Sequence, residues 1–304
     1  MKGREAMTVA SWLETYRGTV YPWEVDIVEH LTVAYYFERF ADATLGLLEA
    51  IGLGAPYMAR TRQGCLTVDC YVRYAQELRV GDILHIASGV IAVDEAGITL
   101  GHQLYNSDTG ALCATVEQRT LHAALGSRRP VPLTAEQRRA AEARRVHWDG
   151  PPREAREEPA GLDGFIDSAR DTVKPWEIDV FGQSAFPYYI HRFSAAGIQT
   201  LAAFGMTPAY MREERRGFST FEFQLRFLGE LHAGDPVHVK TGLVHLGSSS
   251  LRIFHKMFNG RTGEVVASLG QFGVHLDVEA RRPTPLPEAL RRKAQAMLAR
   301  AGPA

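Results

Sequence analysis

The chain has 304 residues, 45% hydrophobic and 23% charged, and 34 Lys+Arg against 35 Asp+Glu give a formal net charge of −1. A near-neutral chain lacks the basic footprint a nucleic-acid binder needs to displace counterions from phosphate, and no apolar run approaches the roughly 18 residues of a membrane span. The three cysteines, Cys65, Cys70 and Cys113, have neither CxxC nor His-rich spacing, which points to reduced thiols in a cytoplasmic protein and away from a structural zinc site.

Along the chain, the opening MKGREAMTVASW has no apolar core of signal-peptide length. TVYPW then reads as a short strand, followed by the loop DIVEHLT. Apolar residues at Tyr36, Phe37, Phe40, Leu47, Leu48 and Ile51 keep a 3.6-residue rhythm, which predicts a long helix over Val33 to Ile51 with Gly52 just past its end. Beyond it, β-branched and aromatic runs predict strands at Gly64–Tyr74, Asp82–Val93, Ile98–Asn106 and Leu112–His122, joined by tight turns such as DEAG and NSDTG. The polar stretch Val146 to Ala169, with WDGPPREAREEPAG, reads as a linker over the surface.

The same pattern then starts again. At a shift of 153 residues, TVYPWEVD lies over TVKPWEID, YYFERF over YYIHRF, ELRVGDILH over ELHAGDPVH and RRPVPL over RRPTPL. Between Arg17–Ala143 and Arg170–Ala296, 43 of 127 positions are identical without a gap. The chain is a tandem duplication, and a missed repeat would mis-assign the fold. The expected domains are residues 1–155 and 156–304. Each is an α+β unit of one long helix wrapped by an antiparallel sheet, and two such sheets pairing side by side would cover each other's open edges.

One strand, an Asp-containing loop, a long helix and four antiparallel strands resemble the hotdog fold. The spacing Asp26-x9-Tyr36, with His30 four residues after the Asp, is similar to the D-x-x-G-H-x-N-x-x-x-Y segment of the 4-hydroxybenzoyl-CoA thioesterase-like acyl-CoA thioesterases. Asp179-x9-Tyr189 repeats it, with Gly182 at the Gly position. The first copy departs at Glu29 and Thr32, the second at Gln183 and Ala185, so the copies are not equivalent. The resemblance implies a double hotdog that hydrolyses an acyl thioester presented on CoA or a carrier protein, with no metal or organic cofactor. Asp26 and Asp179 would act as nucleophile or general base, with His30 assisting in the first copy. Thr32, Val33, Tyr36, Gln183 and Tyr189 would face the substrate. Backbone N–H groups near Thr32–Ala34 and Ala185–Pro187 would polarise the carbonyl, although Pro187 has none.

Other readings stand beside these. Both Asp residues could simply bond their own turns, the two Tyr residues sit at core spacing, and Trp23 and Trp176 are expected to pack at strand ends. The recurring pairs His85/His238, His102/His255 and His122/His275 are expected to be structural, and Arg128–Arg129 and Arg281–Arg282 to lie on a solvated surface. A non-catalytic acyl-thioester binder and a hotdog hydratase or dehydratase are the alternative functions. Two chains could also associate through exposed sheet or helix edges.

Overall fold

The computed structural model describes residues 11–298. In the first copy, strand β1 (Leu13–Thr19) leads through a single 3₁₀ turn at Pro22–Glu24 into helix α1 (Val33–Ala50). Helix α2 (Ala55–Thr61), strands β2 (Gln63–Tyr74), β3 (Ile83–Val93), β4 (Gly97–Asn106) and β5 (Leu112–Ala124), and helix α3 (Ala135–Glu142) follow. The second copy repeats the order with β6 (Ile166–Thr172), α4 (Phe186–Ala203), α5 (Pro208–Glu213), β7 (Arg216–Phe227), β8 (Pro236–Leu246), β9 (Ser250–Asn259) and β10 (Val265–Asp277). A two-residue strand β11 (Arg282–Pro283) and helix α6 (Glu288–Ala296) complete it. No described helix is long and apolar enough to cross a membrane.

The long helix and its four strands fall where periodicity placed them. The first strand does not. It ends at Thr19, and PWE turns instead of extending, because Pro22 has no N–H to give a ladder. Nor do the tryptophans pack: Trp23 is 68% and Trp176 74% exposed, with Trp23 stacked on Tyr21 at 4.6 Å.

All the strands form one antiparallel sheet in the order β1-β3-β4-β5-β2-β7-β10-β9-β8-β6, with β11 beside β10. The copies join at β2 and β7, where Tyr71 pairs with Gln224, Asp69 with Arg226 and Arg73 with Glu222. Tyr71 and Gln224 are the same position of the repeat, so a pseudo-twofold axis passes between them. It also passes between α1 and α4, where Glu38 Oε1 meets His191 Nε2 at 2.9 Å. Phe37 and Phe40 of α1 and Phe193 of α4 are fully buried in one core that spans both copies. Burying each such ring contributes about 2–3 kcal/mol.

The segment between the copies is laid along the outer sheet face as a strap. Tyr71 donates its hydroxyl to Pro152 O at 3.1 Å, Gln224 Nε2 donates to Glu154 O at 2.9 Å, and Lys256 Nζ donates to Pro159 O at 2.8 Å. Arg156 bonds the buried Glu222 carboxylate at 2.9 Å and lies 4.9 Å over the Phe272 ring. Trp148 sits on Gly101, where an added Cβ would come within 2.9 Å of its ring.

A buried ion pair anchors each site loop to its helix. Glu24 and Arg39 meet at 2.7 Å, with Arg39 also donating to Thr19 O at 2.9 Å and Tyr21 N donating to Glu24 at 2.8 Å. Glu177 and Arg192 repeat the pair at 2.6 Å. A buried charge left without its partner is strongly destabilising. Arg39→Met should therefore lower the unfolding free energy by about 3–5 kcal/mol, and Glu24→Gln added to it should restore part of the loss. Urea titrations in which the two losses simply add would show that the pair does not act as a unit.

Candidate active site

The chain leaving Glu24 closes a tight loop before α1. Asp26 N donates to His30 O at 2.8 Å, Leu31 N to Leu78 O at 2.7 Å and Thr32 N to Glu24 O at 2.8 Å. Inside the loop, Asp26 Oδ1 accepts from Val28 N at 3.0 Å and His30 N at 3.2 Å. Asp179 does the same with Phe181 N at 2.8 Å and Gln183 N at 3.3 Å. The turn-bonding role of these carboxylates and a chemical one are thus compatible. One oxygen holds the loop; among the described residues no hydrogen bond reaches Oδ2 of Asp26, whereas Asp179 also has the Gln183 side chain as a partner.

The loop needs a left-handed residue three positions after each Asp. Gly182 has φ +83° and Glu29 has φ +68°, so the first copy places a side chain in a conformation that costs about 1–2 kcal/mol. Glu29 meets Arg215 at 3.3 Å and Arg281 at 3.7 Å, both from the second copy.

Asp26 lies where two cavities meet. The inner one, about 330 Å³, lies under the second copy's helix and includes Val28, Thr32, Val33, Gly197, Leu201 and Met211. The outer one, about 470 Å³, is more polar and includes His30, Tyr36, Glu77, Arg79 and Arg281. Val33, Phe218 and Thr220 line both. Asp179 has a cavity of about 220 Å³ under the first copy's helix, with Thr44, Leu48, Arg128, Gln183, Phe186 and Tyr189 among its walls. Each Asp therefore faces the helix of the other copy.

His30 shares the outer cavity with Asp26, but its Nε2 stands 2.9 Å from Glu77 Oε1 and 2.7 Å from Arg281 Nη1. The ring closes the cavity edge in an ionic cluster. Burial pushes the Glu77 carboxyl up, but the hydrogen bond from His30 and the charges of His30 and Arg281 overcome this and hold it at about 2. Arg281 also donates to Val28 O at 3.1 Å. The expectation of a solvated Arg281 is therefore corrected: its left-handed backbone, φ +52°, turns the side chain inward onto the other copy's loop. Its counterpart Arg128 comes within 4.0 Å of Glu230 beside Asp179. Tyr36 and Tyr189 are both core and lining: each is buried, Tyr36 packs edge-on to Tyr74 at 5.1 Å, and Tyr189 reaches Gly229 O at 3.5 Å.

The helix starts differ in the donors they present. Thr32 N and Ala185 N are spent on the carbonyls of Glu24 and Glu177 at 2.8 Å, which removes both from the expected polarising groups. Val33 and Ala34 occupy the first two helical positions, where an N–H has no intrahelical acceptor. In the second copy Phe186 keeps its N–H and Pro187 has none. Val33 lines both cavities at Asp26, whereas Ala34 is fully buried and lines neither; Phe186 and Pro187 both line the Asp179 cavity.

Burial raises the Asp26 carboxyl, against the His30 charge and the backbone N–H groups of His30 and Val28. Burial likewise takes Asp179 to about 6. A carboxylate with a raised pKa is a stronger base, and the neighbouring N–H groups favour developing negative charge on a bound carbonyl oxygen.

Sequence reasoning passed over a polar chain behind each cavity. Gln271 Nε2 donates to Thr220 Oγ1 at 2.7 Å and His255 Nε2 lies 3.2 Å from Gln271 Oε1; Gln118, Thr67 and His102 repeat the arrangement. Only the identity of these positions between the copies could have flagged them. The structural role expected for His102 and His255 agrees with their complete burial, which lowers them to about 3 and about 4 and keeps them neutral.

Comparison with known proteins matches this architecture. The model of the thioesterase-like superfamily matches residues 20–141 and 173–294. The betainyl-CoA thioesterase of Pseudomonas aeruginosa is 29% identical over 124 residues, covering 41% of this chain and 78% of that protein. The L-carnitine dehydrogenase/betainyl-CoA thioesterase of Agrobacterium fabrum is 31% identical over 127 residues, covering 42% of this chain but only 26% of its own length. Among solved structures, the 12:0-ACP thioesterase of Umbellularia californica superposes with a TM-score of 0.67 at 14% identity, covering 90% of this chain and 94% of that one. The double hotdog that the repeat and the family resemblance together imply is the fold observed, and with its model matched once in each copy the chain belongs to the thioesterase-like superfamily.

Proposed function

We propose that the chain is an acyl-CoA thioesterase whose working site is centred on Asp26. The observation that carries this reading is the position of that carboxylate: raised in pKa, one oxygen unbonded, at the junction of an apolar and a polar cavity and next to the α1 N-terminus. The acyl group enters the inner cavity and the CoA arm lies along the outer one. The N–H group of Val33, at the start of α1, holds the thioester oxygen. Asp26 removes a proton from water, the resulting hydroxide adds to the carbonyl, and collapse of the tetrahedral adduct breaks the C–S bond and expels CoA as thiolate, which takes up a proton. With Asp26 as nucleophile, a mixed anhydride forms first and water then cleaves it. The relatives named for thioesterases support the hydrolytic class, and the three buried free cysteines fit the reducing cytoplasm. The inner cavity has one aromatic wall, Phe218, and so lacks the aromatic cage that recognises a quaternary ammonium group. The betainyl substrate in the relatives' names is therefore not assigned to the Asp26 cavity; the Asp179 cavity, with Phe181, Phe186, Tyr189 and Phe227, is the more aromatic of the two.

Thiol release from an acyl-CoA panel tests the reading. Asp26→Asn should lose roughly a hundredfold to ten-thousandfold in kcat, while Asp179→Asn keeps most of the activity. The reverse pattern would move the working site to the second copy, and no thiol release from any acyl-CoA by the wild type would remove the hydrolase reading. Because Asp26 must be ionised and its pKa is raised, activity should fall on acidification at a pH above the ordinary carboxylate value.

Asp179 also gives a stability prediction. Its folded pKa of about 6 lies above the unfolded value, so the folded state holds its proton more tightly, and stability falls as pH rises from about 4 to about 6. Asp179→Asn should melt higher than wild type at neutral pH, and the gap should close below about pH 4. A constant gap across that range would count against the raised pKa.

A further inference from the structure

The two inner cavities are copies of one another, and they differ where α1 and α4 form the wall. In the first copy, the Thr44 hydroxyl lies 2.7 Å from Phe40 O, 3.1 Å from Gln118 Oε1 and 3.3 Å from His102 Nε2. It completes a buried polar chain in which His102 Nδ1 meets Ser88 Oγ at 2.7 Å and Ser88 meets Thr15 at 2.6 Å. The second copy has the same chain, with Ser168 to Thr241 at 2.6 Å, Thr241 to His255 at 2.8 Å and His255 to Gln271 at 3.2 Å. Gly197, however, stands where Thr44 stands.

Packing does not require that glycine. A Cβ built on Gly197 would meet only Gln271 Oε1, at an ordinary 3.6 Å, and glycine is unfavourable inside a helix. Its effect is to leave a gap, and the gap opens into the cavity of Asp26. Gly197 and Gln271 line that cavity together, whereas at the Asp179 cavity Thr44 is a wall and Gln118 is not. The end of the buried Gln271 amide that faces α4 therefore lacks the hydroxyl partner its twin has. Val28 and Val33, where the second loop has Phe181 and Phe186, widen the same cavity.

We propose that the Asp26 cavity is built for an acyl group that carries a hydroxyl, which takes the place of the Thr44 hydroxyl beside Gln271 and His255. This rests on the thioesterase reading and specifies its substrate class. Asp26 and Gln271 line one cavity, so a carbonyl at Asp26 puts the hydroxyl on the acyl chain beyond the thioester. His255, lowered to about 4 by burial, is neutral. The wall therefore suits an uncharged polar group and not a terminal carboxylate, whose desolvation nothing there would offset.

Calorimetric binding of non-hydrolysable acyl-CoA thioethers to the full chain tests this, using straight-chain analogues and counterparts hydroxylated at successive positions. One hydroxylated analogue should bind about fivefold to tenfold tighter than its plain counterpart. Gly197→Thr, which supplies the hydroxyl from the protein, should bind both more weakly and erase the preference. Gln271→Met, which keeps the space but removes the partner, should also erase it. Equal affinity at every hydroxyl position in the wild type, or a preference that survives in either folded variant, overturns the proposal. Thiol release from plain acyl-CoAs is measured separately. Hydrolysis without a hydroxyl preference overturns the cavity assignment alone, and a binding preference without hydrolysis overturns the thioesterase reading alone.

Discussion

The buried pair between Glu24 and Arg39, repeated by Glu177 and Arg192, is the constraint on which both sites depend. An isolated charge in such a place would be costly, so the carboxylate and guanidinium must meet, and their meeting ties three pieces of chain together. Arg39 belongs to the helix, Thr19 to the end of the first strand, and Glu24 to the turn between them. The turn cannot move without breaking the pair. Asp26 follows Glu24 by two residues, and the N–H of Thr32 is held by the Glu24 carbonyl. Carboxylate and helix N-terminus are therefore set relative to each other by a group that does no chemistry.

Much of this was legible in the sequence, and the reasons are local. The repeat was visible because 43 identities align without a gap, and the long helices because their apolar spacing matches the helical period. The two Asp loops could be placed because spacing to a later Tyr is a property of one short segment. What escaped were contacts between distant segments. Arg281 reaches the first copy's loop from 251 residues beyond His30, and no local pattern encodes that. Thr220, Gln271 and His255 come from three strands and meet only through sheet register. The strap looked like a solvated linker because its polar composition suits water and strand-face hydrogen bonding equally well.

The departures from the family pattern acquire physical meaning in the structure. Glu29 occupies a backbone conformation suited to glycine and joins a charge cluster with Arg215 and Arg281. Pro187 removes a donor at the second helix start, and Thr44 fills the wall that Gly197 leaves open. Pro187 and Thr44 act on the Asp179 side, one removing a donor and the other filling space, while Glu29 adds charge beside the Asp26 loop. Such asymmetry is closed to a homodimer, because identical subunits related by a true twofold must carry identical sites.

The exchange of helices between sites limits how far the copies can drift apart. The cavity facing Asp26 is walled by α4, which belongs to the other copy. If selection on hydrolysis at Asp179 were relaxed, its loop could accumulate changes freely, but Gly197, Leu201 and Met211 could not follow. A paralogue in which the second copy had become an inert scaffold should therefore show an uneven record of substitution. Its loop would be eroded while the helix and strand that serve the neighbour's cavity stay constrained, so two halves of one domain would evolve at different rates.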